Sequence, residues 1–261
     1  MEQKRALVTG AGKRLGRAMA LCLAGRGYDV AVHYATSQDQ AEAVAEEIRA
    51  LGQQAATLRG DLLVEDETQG LVGRAADALD GPLNVLVNNA SIFEYDTIKT
   101  ATRESWDRHI GSNLRAPFVL TQNFAAAVPD PVRDSNGEPV AQGLVVNMLD
   151  QRVRKLTPEF ISYTIAKMGL WAFTRTAAQA LAPRVRVNGI GPGPTLIGAH
   201  QSRDHFTRQR AATILGRGAN PEDITAALRY LLDAPAVTGQ LLCVDGGQHL
   251  GWKTPDIFGS D

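Results

Sequence analysis

The chain is expected to fold as α/β, a doubly wound domain with helices on both faces of a parallel sheet. Three observations lead there. Short apolar or β-branched runs alternate with longer helical patterns along the whole chain, the order that builds βαβ units. Two of the runs, Ala6-Leu7-Val8 and Val85-Leu86-Val87, are continuously apolar, as strands covered on both faces must be. The first run leads straight into a glycine-rich turn, Thr9-Gly10-Ala11-Gly12-Lys13-Arg14-Leu15-Gly16, which opens a helix.

In chain order, strands are expected at 5–9, 29–34, 84–87, 143–148, 184–190 and 240–244, with a weaker one at 54–59. Helical periodicity falls at 15–25, 38–51, 65–79, 103–127, 161–181 and 221–232. Two segments are irregular. Residues 129–142 are polar and rich in Pro, Asp and Asn, and read as a surface insertion. Residues 192–216 follow a strand at the sheet edge where α/β proteins bind ligands, and read as a substrate lid. No repeat or low-complexity linker interrupts the sequence, so 1–261 is read as one domain, with a C-terminal tail from about residue 246.

Composition narrows the function classes. Of 261 residues, 44% are hydrophobic and 21% charged, which suits a large core. The formal net charge of −1 offers no global field to nucleic acid or to an anionic membrane. Cys22 and Cys243 lie too far apart to suggest a disulfide framework or a zinc site, and a reducing cytoplasm suits them. There is no apolar signal segment at the start, and no window approaches the roughly 20 apolar residues of a membrane span. His33, His109, His200, His205 and His249 show no metal-ligand spacing, so no metal is expected. A soluble cytoplasmic protein is the expectation.

The glycine turn carries the first chemical signal. Glycine lets backbone N–H groups approach a pyrophosphate, and the following helix N-terminus favours the negative charge. Gly16 comes one residue later than in the GxGxxG pattern. An acidic residue ending the second strand would hold the ribose hydroxyls of NAD. Here that strand runs out as His33-Tyr34-Ala35-Thr36-Ser37, with hydroxyls and no carboxylate. Lys13 and Arg14 add cations in the turn. That set suits the extra 2′-phosphate of NADP, so NADPH is the expected cofactor. The second signal is Tyr163 and Lys167, four residues apart and therefore on one helix face. A lysine beside a tyrosine stabilises the phenolate, and the phenol then exchanges its proton nearer neutral pH.

With the turn and this pair, the chain resembles the short-chain dehydrogenase/reductase family over nearly its whole length. Asn88-Asn89-Ala90 is similar to the family's NNAG stretch, which supports the sheet and the cofactor. The resemblance implies a seven-stranded parallel sheet in a Rossmann-like domain. It implies that Asn113 orders a relay water near Lys167, which itself binds the nicotinamide ribose. Asp61 and Leu62 would meet the adenine, and Pro192 and Gly193 the nicotinamide. Gly10, Lys13, Arg14, Leu15, Gly16, His33, Tyr34, Ser37, Asn89, Ala90, Ser91 and Asn147 complete the expected cofactor set, with Tyr163 and Lys167. A homotetramer is implied too, with helices 103–127 and 161–181 as interfaces. Trp171 is read as core or interface. Trp252 and the tail are read as reaching a neighbouring subunit.

The departures from the common family pattern are informative. Arg14 stands where a glycine is usual, Ser91 follows Asn88-Asn89-Ala90 in place of glycine, and Asp150 stands where most members carry serine. Together with Lys13-Arg14-Leu15-Gly16, His33-Tyr34, Phe93 and Asn147-Met148-Leu149-Asp150, these are similar to the pteridine reductases and the bacterial dihydromonapterin and dihydrofolate reductases. The resemblance implies a pterin substrate. A pterin offers C=N bonds and a ring edge of donors and acceptors, which a carboxyl can meet or protonate. Its flat ring would stack between the nicotinamide and an aromatic side chain, with Phe93 as the candidate. Arg14, Ser91, Phe93, Asp150 and Tyr163 are therefore the expected substrate contacts, and Asp150, Tyr163, Lys167 and Asn113 the catalytic set. Two alternatives stay open: a carbonyl or 3-oxoacyl reductase that tolerates Asp150, and an NADP-binding sensor without turnover.

Overall fold

The computed structural model describes residues 3–198 and 201–252. β1 (Lys4–Val8) pairs with β2 (Tyr28–Tyr34) on one side and with β4 (Val85–Asn88) on the other. With β3 (Ala55–Arg59), β7 (Gly143–Met148), β8 (Val185–Pro192) and β9 (Leu241–Val244), these strands make one seven-stranded sheet. Its order is β3-β2-β1-β4-β7-β8-β9, and every pairing is parallel. The remaining short strands, β5 (Val132–Arg133) and β6 (Pro139–Val140), form an antiparallel hairpin within the polar 129–142 segment.

The period-2 alternation of the strands divides the core into two layers. Ala6, Val8, Val30, Val32, Val87 and Val146 face α1 (Arg14–Ala24), α2 (Gln38–Ala50) and α8 (Pro221–Asp233), where Met19, Leu23, Ile48, Ile224 and Leu228 meet them. Leu7, Ala31, Leu86, Val145 and Val187 face the opposite layer of α3 (Glu65–Ala78), α5 (Ala116–Ala127) and α6 (Ile161–Leu181), through Leu71, Leu120, Phe124 and Ala178. With both faces covered, β2 is buried at all seven positions, Asp29 and His33 included.

The continuous helix expected at 103–127 is divided. α4 (Arg103–Ile110) starts at a capping box between Thr102 and Ser105, and a π turn (Gly111–Arg115) separates it from α5. Such wide turns commonly mark functional positions, and this one carries Asn113. The 192–216 segment contains α7 (Arg203–Ala211), none of whose residues is buried. His200 and residues 253–261 of the tail lie outside the described residues. Within them, no helix is long and apolar enough to cross a membrane, and no cluster of His, Cys, Asp and Glu could hold a metal.

The strand order reverses between β1 and β4. Crevices at such switch points, beyond the carboxyl ends of the strands, are where open α/β sheets bind ligands. The turn after β1, Asn89–Ser91 after β4, Asp150 after β7 and Gly193 after β8 all converge there.

Candidate active site

Gly10 has φ of +61° and a Cβ there would lie 3.1 Å from Ala90 Cα. At Gly16 a Cβ would fall 2.2 Å from the Gly10 carbonyl oxygen, so the turn closes only with hydrogen at both positions. Arg14 is also left-handed, with φ of +53°, which is the physical reason a glycine is common there. The turn is held from behind. Gly10 N–H donates to His33 Nδ1 at 3.1 Å, and His33 Nε2 lies 3.0 Å from the Gly60 oxygen. Since Nδ1 accepts, the ring proton sits on Nε2 and the imidazole is neutral. Burial pushes its pKa down to about 4. Asn89 ties the end of β4 to the end of β1, its side-chain amide donating to the Thr9 and Gly10 carbonyls at 2.8 and 3.2 Å. Thr9 Oγ1 accepts from the Asn89 and Ala90 amides.

The start of α1 is left open. Its N-cap, Lys13, makes no side-chain capping bond and no acidic residue stands in the first turn, the arrangement that receives an anion. Arg14 reaches away from the turn, its guanidinium donating to the carbonyls of Ile197 and Leu196 at 2.9 and 3.1 Å. It thereby ties the turn to the segment after β8.

The proton-handling residues stand opposite. Tyr163 and Lys167 lie one turn apart on α6 and both are buried. Tyr163 Oη donates to Asp150 Oδ2 at 3.0 Å, while Asp150 Oδ1 accepts the Arg152 N–H at 2.7 Å. Asp150 thus caps a short 3₁₀ turn (Gln151–Val153) and meets the phenol at once. Burial raises the Asp150 pKa against the opposing pull of Arg152, Tyr163 and Lys167. The Tyr163 pKa moves well above its usual value, first through burial and then through the Asp150 charge and hydrogen bond. Lys167, lowered by burial to about 8, donates to the Met148 carbonyl at 2.7 Å. Its Nζ stands 5.7 Å from the centre of the Tyr163 ring. The expectation that Lys167 depresses the Tyr163 pKa is therefore corrected, since the lysine is not among the groups that lower it. The lysine bonds a strand carbonyl, and the phenol pKa is raised first by burial and then by Asp150.

Fourteen of the anticipated residues line a single cavity of about 490 Å³: Gly10, Lys13, Arg14, Leu15, Gly16, Asn89, Ala90, Ser91, Phe93, Asp150, Tyr163, Lys167, Pro192 and Gly193. Gly193 is needed for closeness, since a Cβ there would lie 2.6 Å from Asp245 Cβ. The other anticipated residues stand outside this lining. His33 and Asn147 are buried behind it, Asn147 joining Asn88 and Thr174 in a polar ladder. Tyr34 is buried at the end of β2, and Ser37 caps the start of α2 without a side-chain bond. Asp61, after β3, accepts the Leu63 N–H, and Leu62 is half-buried beside it. Asn113 spends its side chain on both main-chain groups of Ile92, at 3.1 and 2.8 Å.

Sequence reasoning did not anticipate Met148, Leu149, Thr195 and Leu196 in the lining. The first two follow from their place at the end of β7. It also passed over Phe160, whose ring stacks on Phe93 at 4.3 Å and 8°; nothing local in the sequence marks it.

This geometry agrees with what the chain is similar to. The model of the family described as short chain dehydrogenase matches residues 4–207. The chain belongs to that family. Like its relatives it is a short-chain oxidoreductase, built as one α/β domain. An oxidoreductase of Mycobacterium tuberculosis, itself uncharacterized, is 37% identical over 98% of this chain and 97% of its own. The 3-oxoacyl-[acyl-carrier-protein] reductase FabG of Staphylococcus aureus is 33% identical over 95% and 98%. Among solved structures, the FolM alternative dihydrofolate reductase 1 of Brucella suis, in complex with NADP, superposes with a TM-score of 0.90. It is 42% identical, over 97% of this chain and 98% of that one.

Proposed function

We propose that this short-chain oxidoreductase uses NADPH to reduce a pterin of the dihydropterin or dihydrofolate type. One observation carries the reading: a half-buried carboxyl, Asp150, is bonded to Tyr163 in the cavity wall, at the position where carbonyl reductases of the family carry a serine. The likeness to the Brucella enzyme supports it.

The residues present fit the dinucleotide. The open start of α1 and the crowding that requires glycine at 10 and 16 leave room for a pyrophosphate against backbone N–H groups. Lys13, with the uncapped Ser37 at the start of α2, supports a 2′-phosphate, and Asp61 and Leu62 stand along the adenine side. When bound, NADPH supplies the hydride that reduces a C=N carbon. The neighbouring ring nitrogen then needs a proton, and the Tyr163–Asp150 pair holds one at hydrogen-bonding reach of the cavity. Asp150 also receives ring N–H or amino groups, and its raised pKa lets it exchange a proton nearer neutrality. Lys167 would hold the nicotinamide ribose, and with a relay water ordered by Asn113 it would return a proton to the pair. Phe93 and Ser91 line the cavity beside Tyr163, and the 192–216 segment is the substrate lid of this reading. A cytoplasmic homotetramer belongs to the same reading, with exposed Trp106, Phe118, Ile165 and Met168 on the α4, α5 and α6 faces as its contacts.

A second reading, 3-oxoacyl reduction, is favoured by the Staphylococcus relative. NADPH oxidation assayed with 7,8-dihydromonapterin, 7,8-dihydrobiopterin and dihydrofolate, beside a ketone and a 3-oxoacyl thioester, separates the two. Turnover of the pterins above the carbonyl compounds is expected. Carbonyl turnover alone establishes the second reading, and tight NADPH binding without any turnover makes the protein a sensor.

A further inference from the structure

A buried polar cluster beneath the cavity has no part in the chemistry above. Asp96, His109 and Ser162 are 2%, 0% and 0% exposed, and they come from the strap after β4, from α4 and from α6. His109 Nε2 accepts the Glu94 N–H at 3.1 Å, so its proton is on Nδ1, which meets Ser162 Oγ at 2.6 Å. Ser162 passes its own hydroxyl proton to Asp96 Oδ2 in a short bond, and its N–H donates to Asp96 Oδ1 at 3.3 Å. The chain of donors runs one way and ends on the carboxylate.

The strap it fixes forms neither helix nor strand and lacks sheet partners. Residues 92, 94 and 96 each spend their main chain inward: Ile92 on Asn113, Glu94 on His109, and the Asp96 carbonyl on the Phe160 N–H at 2.8 Å. The side chains of Phe93 and Tyr95, between them, are exposed. Phe93 lines the cavity while 53% exposed, edge-on to Tyr163 at 4.7 Å. Phe160 backs it, with the Arg152 guanidinium 5.1 Å from the Phe160 ring centre. An exposed ring on an unpaired strap would ordinarily sample several rotamers and lose that freedom on binding. Here the strap is clamped before substrate arrives.

We infer that Asp96 is a positioning residue: through Ser162, His109 and the Asp96–Phe160 main-chain bond, it holds the 91–96 strap so that Phe93 presents a fixed aromatic wall to a flat substrate. This rests on the pterin reading above. Its test compares Asp96→Ala, Asp96→Asn and the milder Ser162→Ala with the wild type, using NADPH and 7,8-dihydrobiopterin. A misplaced wall weakens binding of the flat ring, so KM for the pterin should rise about tenfold in Asp96→Ala, with kcat and the NADPH Kd changing less than about twofold. Amide exchange at Ile92 and Glu94 should quicken in parallel. Asp96→Asn, which keeps an acceptor, should recover part of the loss. Ser162→Ala should move the same way, and decides the matter if Asp96→Ala does not fold. An unchanged KM in a folded, active variant overturns the inference, as does a loss that falls equally on NADPH binding. A wild type that turns over carbonyl compounds and no pterin overturns the substrate reading and this inference together.

Discussion

At the residue scale, His33 links the fold to cofactor binding. Only its neutral form can accept from Gly10 N–H and donate to the Gly60 oxygen. Its folded pKa of about 4 lies below the ordinary histidine value of 6.5, so the unfolded chain binds the proton first as pH falls. The stability that His33 contributes is intact above about pH 6.5 and is lost as pH drops towards 4, an effect of about 3 kcal/mol. Urea unfolding between pH 7 and 4 should therefore show a loss that His33→Asn reduces, and NADPH affinity should weaken over the same range as the turn loosens. A parallel acid profile in the variant would refute this role. Asp150 and Tyr163 teach a related point. Their types and spacing were legible in the sequence, but the direction of coupling was not, because it depends on where Lys167 points. Its bond to the Met148 carbonyl is a tertiary fact. Phe160 was invisible for the same reason, since its stacking on Phe93 joins segments far apart in sequence.

At the element scale, the seven parallel strands were legible because burial on both faces forces continuous apolar runs. The weaker 54–59 run forms β3 at the sheet edge, where it is only half-buried. The break between α4 and α5 was not legible. Residues 103–127 read as helix throughout, and the widened turn goes with Asn113 bonding to Ile92 from another segment. α7 escaped because it buries nothing, and a helix without an apolar stripe has no periodic signal. The end of α8 also depends on a distant residue. Arg186 Nη1, from β8, donates to the Leu231, Ala234 and Val237 carbonyls at 2.9, 3.0 and 3.2 Å, while α8 has no basic residue in its own last turn. Arg186→Met should cost about 1–3 kcal/mol by removing the donor from the part-buried Leu231 and Ala234 carbonyls, while the Val237 carbonyl keeps the Asn188 amide. Thermal and urea unfolding would measure that loss, with NADPH affinity unchanged because the site is remote. Stability within the usual scatter of surface substitutions would contradict it.

At the scale of the whole molecule, the site is assembled from four strand ends at the switch point, and cofactor binding should stiffen all of them together. Saturating NADPH, at about 100 times its Kd, should stabilise the fold by about 2.7 kcal/mol and raise Tm by about 5–10 °C. NADH, without a 2′-phosphate for Lys13 and Ser37, should do much less at the same concentration; equal shifts would remove the NADP preference. In the proposed function, Asp150 makes this cavity a site for a ring nitrogen instead of a carbonyl oxygen. The most direct measurement is kcat/KM for 7,8-dihydromonapterin and for a small ketone, in wild type, Asp150→Ala and Asp150→Ser, with NADPH. Pterin turnover should fall about 100-fold or more in both variants, as for loss of a proton-transfer group, and Asp150→Ser should gain ketone activity. Pterin turnover that survives both substitutions, or a wild type that prefers the ketone, would contradict this role of Asp150.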